Sequence, residues 1–188
     1  SKKHWKRELQ VKGCTLFQRP NDWPSRDPFV RIMAFCIHGN HIHLLVKQIR
    51  EGGLTEFMRR FPNGISNWHK EKYGNQGNIF QPYSSRRVED EQDLAQLALY
   101  IMIKNVFERY PGGGVDAAYR QFDQAWEWAL SDPFSSFPDY ASRRDSSVVE
   151  KDVLVEFYPS PEEFKKWGRD YMEYRREKER EMAGLLLE

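Results

Sequence analysis

Cysteine is nearly absent from this chain of 188 residues: Cys14 and Cys36 are the only two. Two thiols so placed make no disulfide framework, and with no C-x-x-C spacing they make no zinc site. Long apolar runs are also missing. The stretch Met33–Ile37 is far shorter than a membrane span, and the basic opening SKKHWKRELQ leads into no apolar segment, so neither a membrane helix nor a secretory signal is expected. There is no internal repeat and no low-complexity tract. Net charge is almost lacking too, at +1 from 29 Lys+Arg against 28 Asp+Glu. An apolar content of 39% with 14% aromatics excludes a disordered chain, while a mean hydropathy of −0.80 implies well-solvated helices. The expectation is a soluble cytoplasmic protein.

The small net charge conceals a division. Residues 1–88 hold 16 Lys+Arg and 6 Asp+Glu, a balance of +10; residues 89–188 hold 13 and 22, a balance of −9. A one-sided basic half suits a polyanion, because each phosphate neutralised releases counterions. Ordinary drift of charge along a sequence is the competing reading. The local clusters are Lys2, Lys3, Lys6 and Arg7, then Arg59–Arg60, then Arg86–Arg87.

The pattern FVRIMAFCIHGNHIHLLVKQI reads as a hairpin, with strands near 30–37 and 41–47 joined at Gly39–Asn40. Val11–Phe17 is a candidate for an additional first strand. Leu54, Phe57, Met58 and Phe61 then recur at helical spacing, with an interruption expected at Pro62 and Gly64, and Gly74–Gly77 forms a loop. Residues 90–109 give the clearest helix: acidic at its start, with Leu94, Leu97, Ala98 and Ile101 on one face, and stopped by Pro111. A helix over about 117–130 and a loop over 132–140 follow. Ser160-Pro161-Glu162-Glu163 is a capping box that opens a helix to about Met182, with Phe164, Trp167, Tyr171 and Met172 as its buried side. The class is α+β, a small antiparallel sheet followed by helices.

Within this frame His41-Ile42-His43 stands out. Residues i and i+2 of a strand share a face, so two imidazoles lie side by side and can ligate one divalent metal. Two polar-face histidines with no such role satisfy the same pattern. Tyr100 lies at the edge of the apolar stripe of its helix, either as a packing residue or as a nucleophile. A phenol ionises near pH 10 in water, so it attacks phosphate usefully only where a metal or cation stabilises the phenolate.

AFCIHGNHIHLLV resembles the signature strand pair A-Y-C-L-M-P-N-H-V-H-L-L-V of the single-tyrosine HUH transposases. GGLTEFMRRF…W…KYGNQGNIFQ is similar to their G-I-S-x-F-M-R-R-L…Y-G-R-x-G-x-L-F-Q segment, and LALYIMIKNV to L-x-R-Y-I-H-L-N-P-V. WEWALSDPFSSFPDY resembles the W-S-S-Y-x-x-Y stretch of the REP-associated tyrosine transposase branch, and SPEEFKKWGRDYMEYR the C-terminal extension of some members. The likeness runs in order over roughly residues 29–180.

The resemblance implies a ferredoxin-like HUH nuclease core over residues 1–115 and a helical C-terminal extension over 116–188. It implies a metal-dependent transposase that cleaves and rejoins single-stranded DNA beside hairpins through a 5′-phosphotyrosine, in the cytoplasm at a prokaryotic nucleoid. His41 and His43 would hold Mg²⁺ or Mn²⁺, and Tyr100 would be the nucleophile. Arg59, Arg60, Arg86 and Arg87 would bind phosphates along the basic half, with Trp68 stacking on an unpaired base. The chain would be a monomer or a homodimer. The family's usual Asn four residues after the tyrosine, its third metal ligand, is Lys104 here, a cation placed to hold the phosphate or favour the phenolate. Asn105 is one position late, about 140° from Tyr100 on a regular α-helix. These departures leave a second expectation open: a degenerate descendant that binds hairpin nucleic acid without cutting it.

Overall fold

The computed structural model describes residues 10–14, 17–74 and 79–185, with side chains as far as Glu181. The N-terminal cluster Lys2, Lys3, Lys6 and Arg7 lies outside the described residues, as does most of the loop after Gly74. The order is β1 (Val30–His38), β2 (His41–Gln48), α1 (Gly53–Tyr73), α2 (Glu91–Leu99), a π turn (Tyr100–Lys104), α3 (Asn105–Phe107), α4 (Gly114–Arg120), α5 (Phe122–Ala129), α6 (Phe137–Tyr140), α7 (Leu154–Phe157) and α8 (Pro161–Leu185). The fold is α+β, and among the described residues the sheet is a two-stranded antiparallel hairpin. The candidate strand at Val11–Phe17 is instead a turn, closed by the Gly13 N–H donating to the Gln10 carbonyl at 3.2 Å, with Thr15 and Leu16 outside the described residues. No helix among the described residues is long and apolar enough to cross a membrane.

The hairpin forms where alternation and the Gly-Asn turn place it, and Gly39 supplies the positive φ of 54°. Its register pairs His38 with His41 and Cys36 with His43, which puts these four side chains on one face. The outer edge of β1 is capped rather than left open. Ile37 donates to the Phe134 carbonyl at 2.7 Å, the Phe35 carbonyl accepts from Ser136 at 2.9 Å, and the Ile32 carbonyl accepts from Glu150 at 2.9 Å. At the entry to α1, a Cβ on Gly53 would meet the Phe29 carbonyl oxygen at 2.3 Å, so only glycine fits.

Four expectations about the helices are corrected. Helix α1 runs unbroken through Pro62. Proline removes the N–H that would bond the Met58 carbonyl, yet the helix continues, with Phe57 stacked on Phe61 and the Asn63 side-chain amide donating to the Arg59 carbonyl at 2.7 Å. The expected helix over 117–130 is two helices, hinged at Gln121 with φ −129° and ψ 45°. The loop over 132–140 contains α6. The helix over 90–109 is not uniform: after Leu99 it widens into a π turn, in which the Asn105 N–H reaches back five residues to the Tyr100 carbonyl.

That π turn keeps the register of the core. Ala98 and Leu99 before it, Ile101, Met102 and Ile103 within it, and Val106 and Phe107 after it are all buried. One hydrophobic cluster joins them to Met33, Ala34 and Leu45 of the hairpin and to Trp126, Phe137, Tyr140, Leu154 and Phe164. Ser160 caps α8 as expected, accepting from the Glu163 N–H at 3.2 Å. Trp167, expected in the core, is instead 47% exposed. Helix α8 approaches the core through Gly168, against Ile103, so Trp167 sits about 100° away from the point of closest contact.

Candidate functional site

The face of the hairpin that carries Cys36, His38, His41 and His43 packs against the π turn and α3. His41 and His43, two residues apart on β2, stand edge to face with ring centroids 4.8 Å apart. The His43 ring meets the Tyr100 ring edge-on at 5.7 Å. The structure thus gathers His41, His43 and Tyr100 into one cluster, with His41 exposed and both His43 and Tyr100 half-buried. Burial, and then the neighbouring His41, hold the His43 imidazole below its ordinary range. Glu108 acts upward on it, while His38 and Lys104 act downward. A neutral imidazole with a free lone pair is the form that binds metal.

Lys104 joins this cluster in a paired state. Its Nζ lies 5.4 Å from the Tyr100 ring centroid and forms an ion pair with Glu108 Oε1, one turn further on. The other Glu108 oxygen is 3.0 Å from His38 Nδ1. His38 Nδ1 also lies 3.2 Å from the Asn105 carbonyl oxygen, and its ring stacks on His41 at 5.3 Å with 14° between planes.

His38, Glu108 and Asn105 were not among the expected site residues. The first two had a signal: a two-residue turn obliges His38 to pair with His41, and Glu108 is four residues after Lys104 on a helix. Regular α-helical geometry places Asn105 away from Tyr100, and the π turn changes that geometry. With one extra residue in the turn, Asn105 takes the backbone position that the fourth residue after Tyr100 would hold in an α-helix. Its side chain is 1% exposed, and neither Nδ2 nor Oδ1 has a hydrogen-bond partner among the described residues. Such an orphaned buried amide is rare in folded proteins.

Among the described residues, no three His, Cys, Asp or Glu side chains are grouped to hold a metal by themselves.

The other expected contacts lie in pairings of their own. Arg59 and Arg60 both pair with Glu56, and Arg86 makes a two-pronged contact with Asp93 at 2.6 Å per arm. Arg87 is exposed. Trp68, 42% exposed near the end of α1, has Lys72 Nζ 4.9 Å from its ring and Tyr73 edge-on at 6.2 Å. Cys36 is buried, 3.6 Å from an Arg109 nitrogen, and burial pushes its thiol up to about 11.

In comparisons with protein-family models, curated proteins and solved structures, the chain shows no match.

Proposed function

We propose that the chain is a metal-dependent HUH-type endonuclease that cuts and rejoins single-stranded DNA beside hairpins, built on a ferredoxin-like core and resembling the REP-associated tyrosine transposases. The observation that carries this reading is the gathering of two strand imidazoles and a tyrosine on one face of the hairpin, next to a residue, Asn105, whose backbone carbonyl lies 3.2 Å from His38 Nδ1 and whose buried side-chain amide has no partner among the described residues. The donor set fits a divalent cation. Two imidazoles and an amide oxygen make a mixed nitrogen–oxygen site of the kind Mn²⁺ accepts, with coordination positions left for phosphate oxygens. His41, His43 and Asn105 would hold the ion, Mg²⁺ or Mn²⁺, which when bound supplies charge neutralisation at the scissile phosphate.

The chain's own residues do the rest. Tyr100 Oη gives up its proton to water and attacks phosphorus, a phenolic O–P bond forms, and the P–O3′ bond breaks. The 3′ oxygen leaves and takes a proton, giving a free 3′-hydroxyl and a 5′-phosphotyrosine. Reversal by another 3′-hydroxyl rejoins the strand, and no nucleotide is consumed because the phosphodiester energy is retained. Arg87 and the basic half would steer the DNA by charge. The ion pairs of Arg59, Arg60 and Arg86 open on phosphate binding, because exposed pairs of this kind are weak.

The test is cleavage of an end-labelled hairpin oligonucleotide with a single-stranded flank in Mn²⁺. Wild type cuts at one position, and Tyr100→Phe and His43→Ala do not. Salt-sensitive hairpin binding without cleavage by wild type would favour the degenerate, binding-only reading.

A further inference from the structure

We propose that Glu108 is a positioning residue that cancels the charge of Lys104 beside the His41–His43 pair, allowing a divalent cation to bind next to a lysine. The inference rests on the nuclease reading and addresses a difficulty within it. An ammonium group near two metal-ligating imidazoles opposes the approach of a doubly charged ion, and Lys104 Nζ lies 5.4 Å from the ring of a tyrosine that touches His43.

Glu108 removes the opposition by geometry. One carboxylate oxygen takes the Lys104 ammonium and the other lies 3.0 Å from His38 Nδ1, so both are engaged by groups other than the metal site. The side chains of Lys104 and Glu108 are only 20% and 28% exposed, so water screens the pair incompletely. Both residues act on the His43 ring electrostatically, with opposite signs. The same carboxylate fixes His38, whose ring stacks on His41, and so steadies the exposed member of the pair.

The experiment is a Mn²⁺ titration of the full chain, read from the electron paramagnetic resonance signal of the free ion. Glu108→Gln is expected to weaken Mn²⁺ binding roughly tenfold, more at low salt than at high, because it leaves Lys104 uncompensated. Lys104→Met/Glu108→Gln is expected to recover to within about twofold of wild type, since both charges are then gone. Lys104→Met alone, which keeps the carboxylate, is expected to bind at least as tightly as wild type. It keeps the test decisive if Glu108→Gln fails to fold.

Unchanged affinity in Glu108→Gln overturns the proposal. So does a double variant as weak as the single one, which would make Glu108 a ligand or a fold element, and so does weakened binding in Lys104→Met. Wild type that takes up no Mn²⁺ overturns the nuclease reading itself. Wild-type binding that is lost in His41→Ala but untouched in Glu108→Gln overturns this proposal alone.

Discussion

If the π turn is a one-residue insertion that the helix absorbs, then shortening and lengthening it have unequal consequences. Deleting Lys104 lets the segment close as a regular α-helix, with asparagine four residues after Tyr100 and about 40° from it around the axis. Residues on both sides keep their faces: Ala98 and Leu99 before, Val106 and Phe107 after, all at 0–3% exposure. The deletion removes a partly exposed side chain and its ion pair, so the expected loss is within about 1.5 kcal/mol. Inserting alanine after Lys104 adds a second extra residue, which a single π turn does not absorb. Val106 and Phe107, both fully buried, then rotate by about 100° out of the core. Losing a buried Phe alone costs about 3–5 kcal/mol, and the valine adds more. Urea denaturation followed by tryptophan fluorescence measures both variants, with six tryptophans in the chain to report. Equal destabilisation by deletion and insertion would refute the register argument. So would a deletion that costs more than about 3 kcal/mol.

Three further predictions concern what holds the site's scaffold. Asp132, with its side chain 2% exposed, takes Arg109 through two contacts at 2.7 and 2.8 Å. Asp132→Ala leaves a half-buried guanidinium unpaired and is expected to lower unfolding stability by about 3 kcal/mol; a loss below about 1 kcal/mol counts against that role. Gly53→Ala drives a Cβ to 2.3 Å from the Phe29 carbonyl oxygen, so its melting temperature should fall by several degrees, whereas Gly64→Ala, which meets nothing within 4 Å, should not. Hydrogen bonds from Lys47 and then Arg31 pull the Asp152 carboxyl from 3.8 down to about 2. A folded-state value below the unfolded one contributes stability that is complete above the ordinary carboxylate range. That part is lost as the pH falls from about 4 toward about 2, and Asp152→Asn should remove it from the acid-denaturation curve.

Particular residues show why some of this was legible in the sequence and some was not. The hairpin was, because strand period and the Gly39–Asn40 turn dictate the same register, and that register carries His41 and His43 to one face. The α8 start was, because Ser160 accepts from the Glu163 N–H just ahead of Pro161. The π turn was not. Arguments from a uniform 3.6-residue period place Asn105 on the wrong side of Tyr100, and only tertiary packing of Phe107 and Val106 forces the helix to absorb a residue there. The break at Gln121 carries no glycine or proline to announce it. Pro62 announces a break that the helix does not make. Glu108 reads in sequence as an i+4 partner of Lys104; its contact with His38 becomes visible only when β1 and the end of α3 meet.

The central claim is that Tyr100 becomes covalently joined to DNA. Wild type is incubated with Mn²⁺ and a hairpin oligonucleotide bearing a single-stranded flank, then digested and weighed by mass spectrometry. The account predicts a peptide containing Tyr100 that carries a 5′-phosphorylated nucleotide fragment, absent when Tyr100→Phe is used and absent when the metal is chelated. An oligonucleotide cut with no adduct on Tyr100, or left whole by a folded wild-type chain that binds Mn²⁺ and the hairpin together, would contradict it.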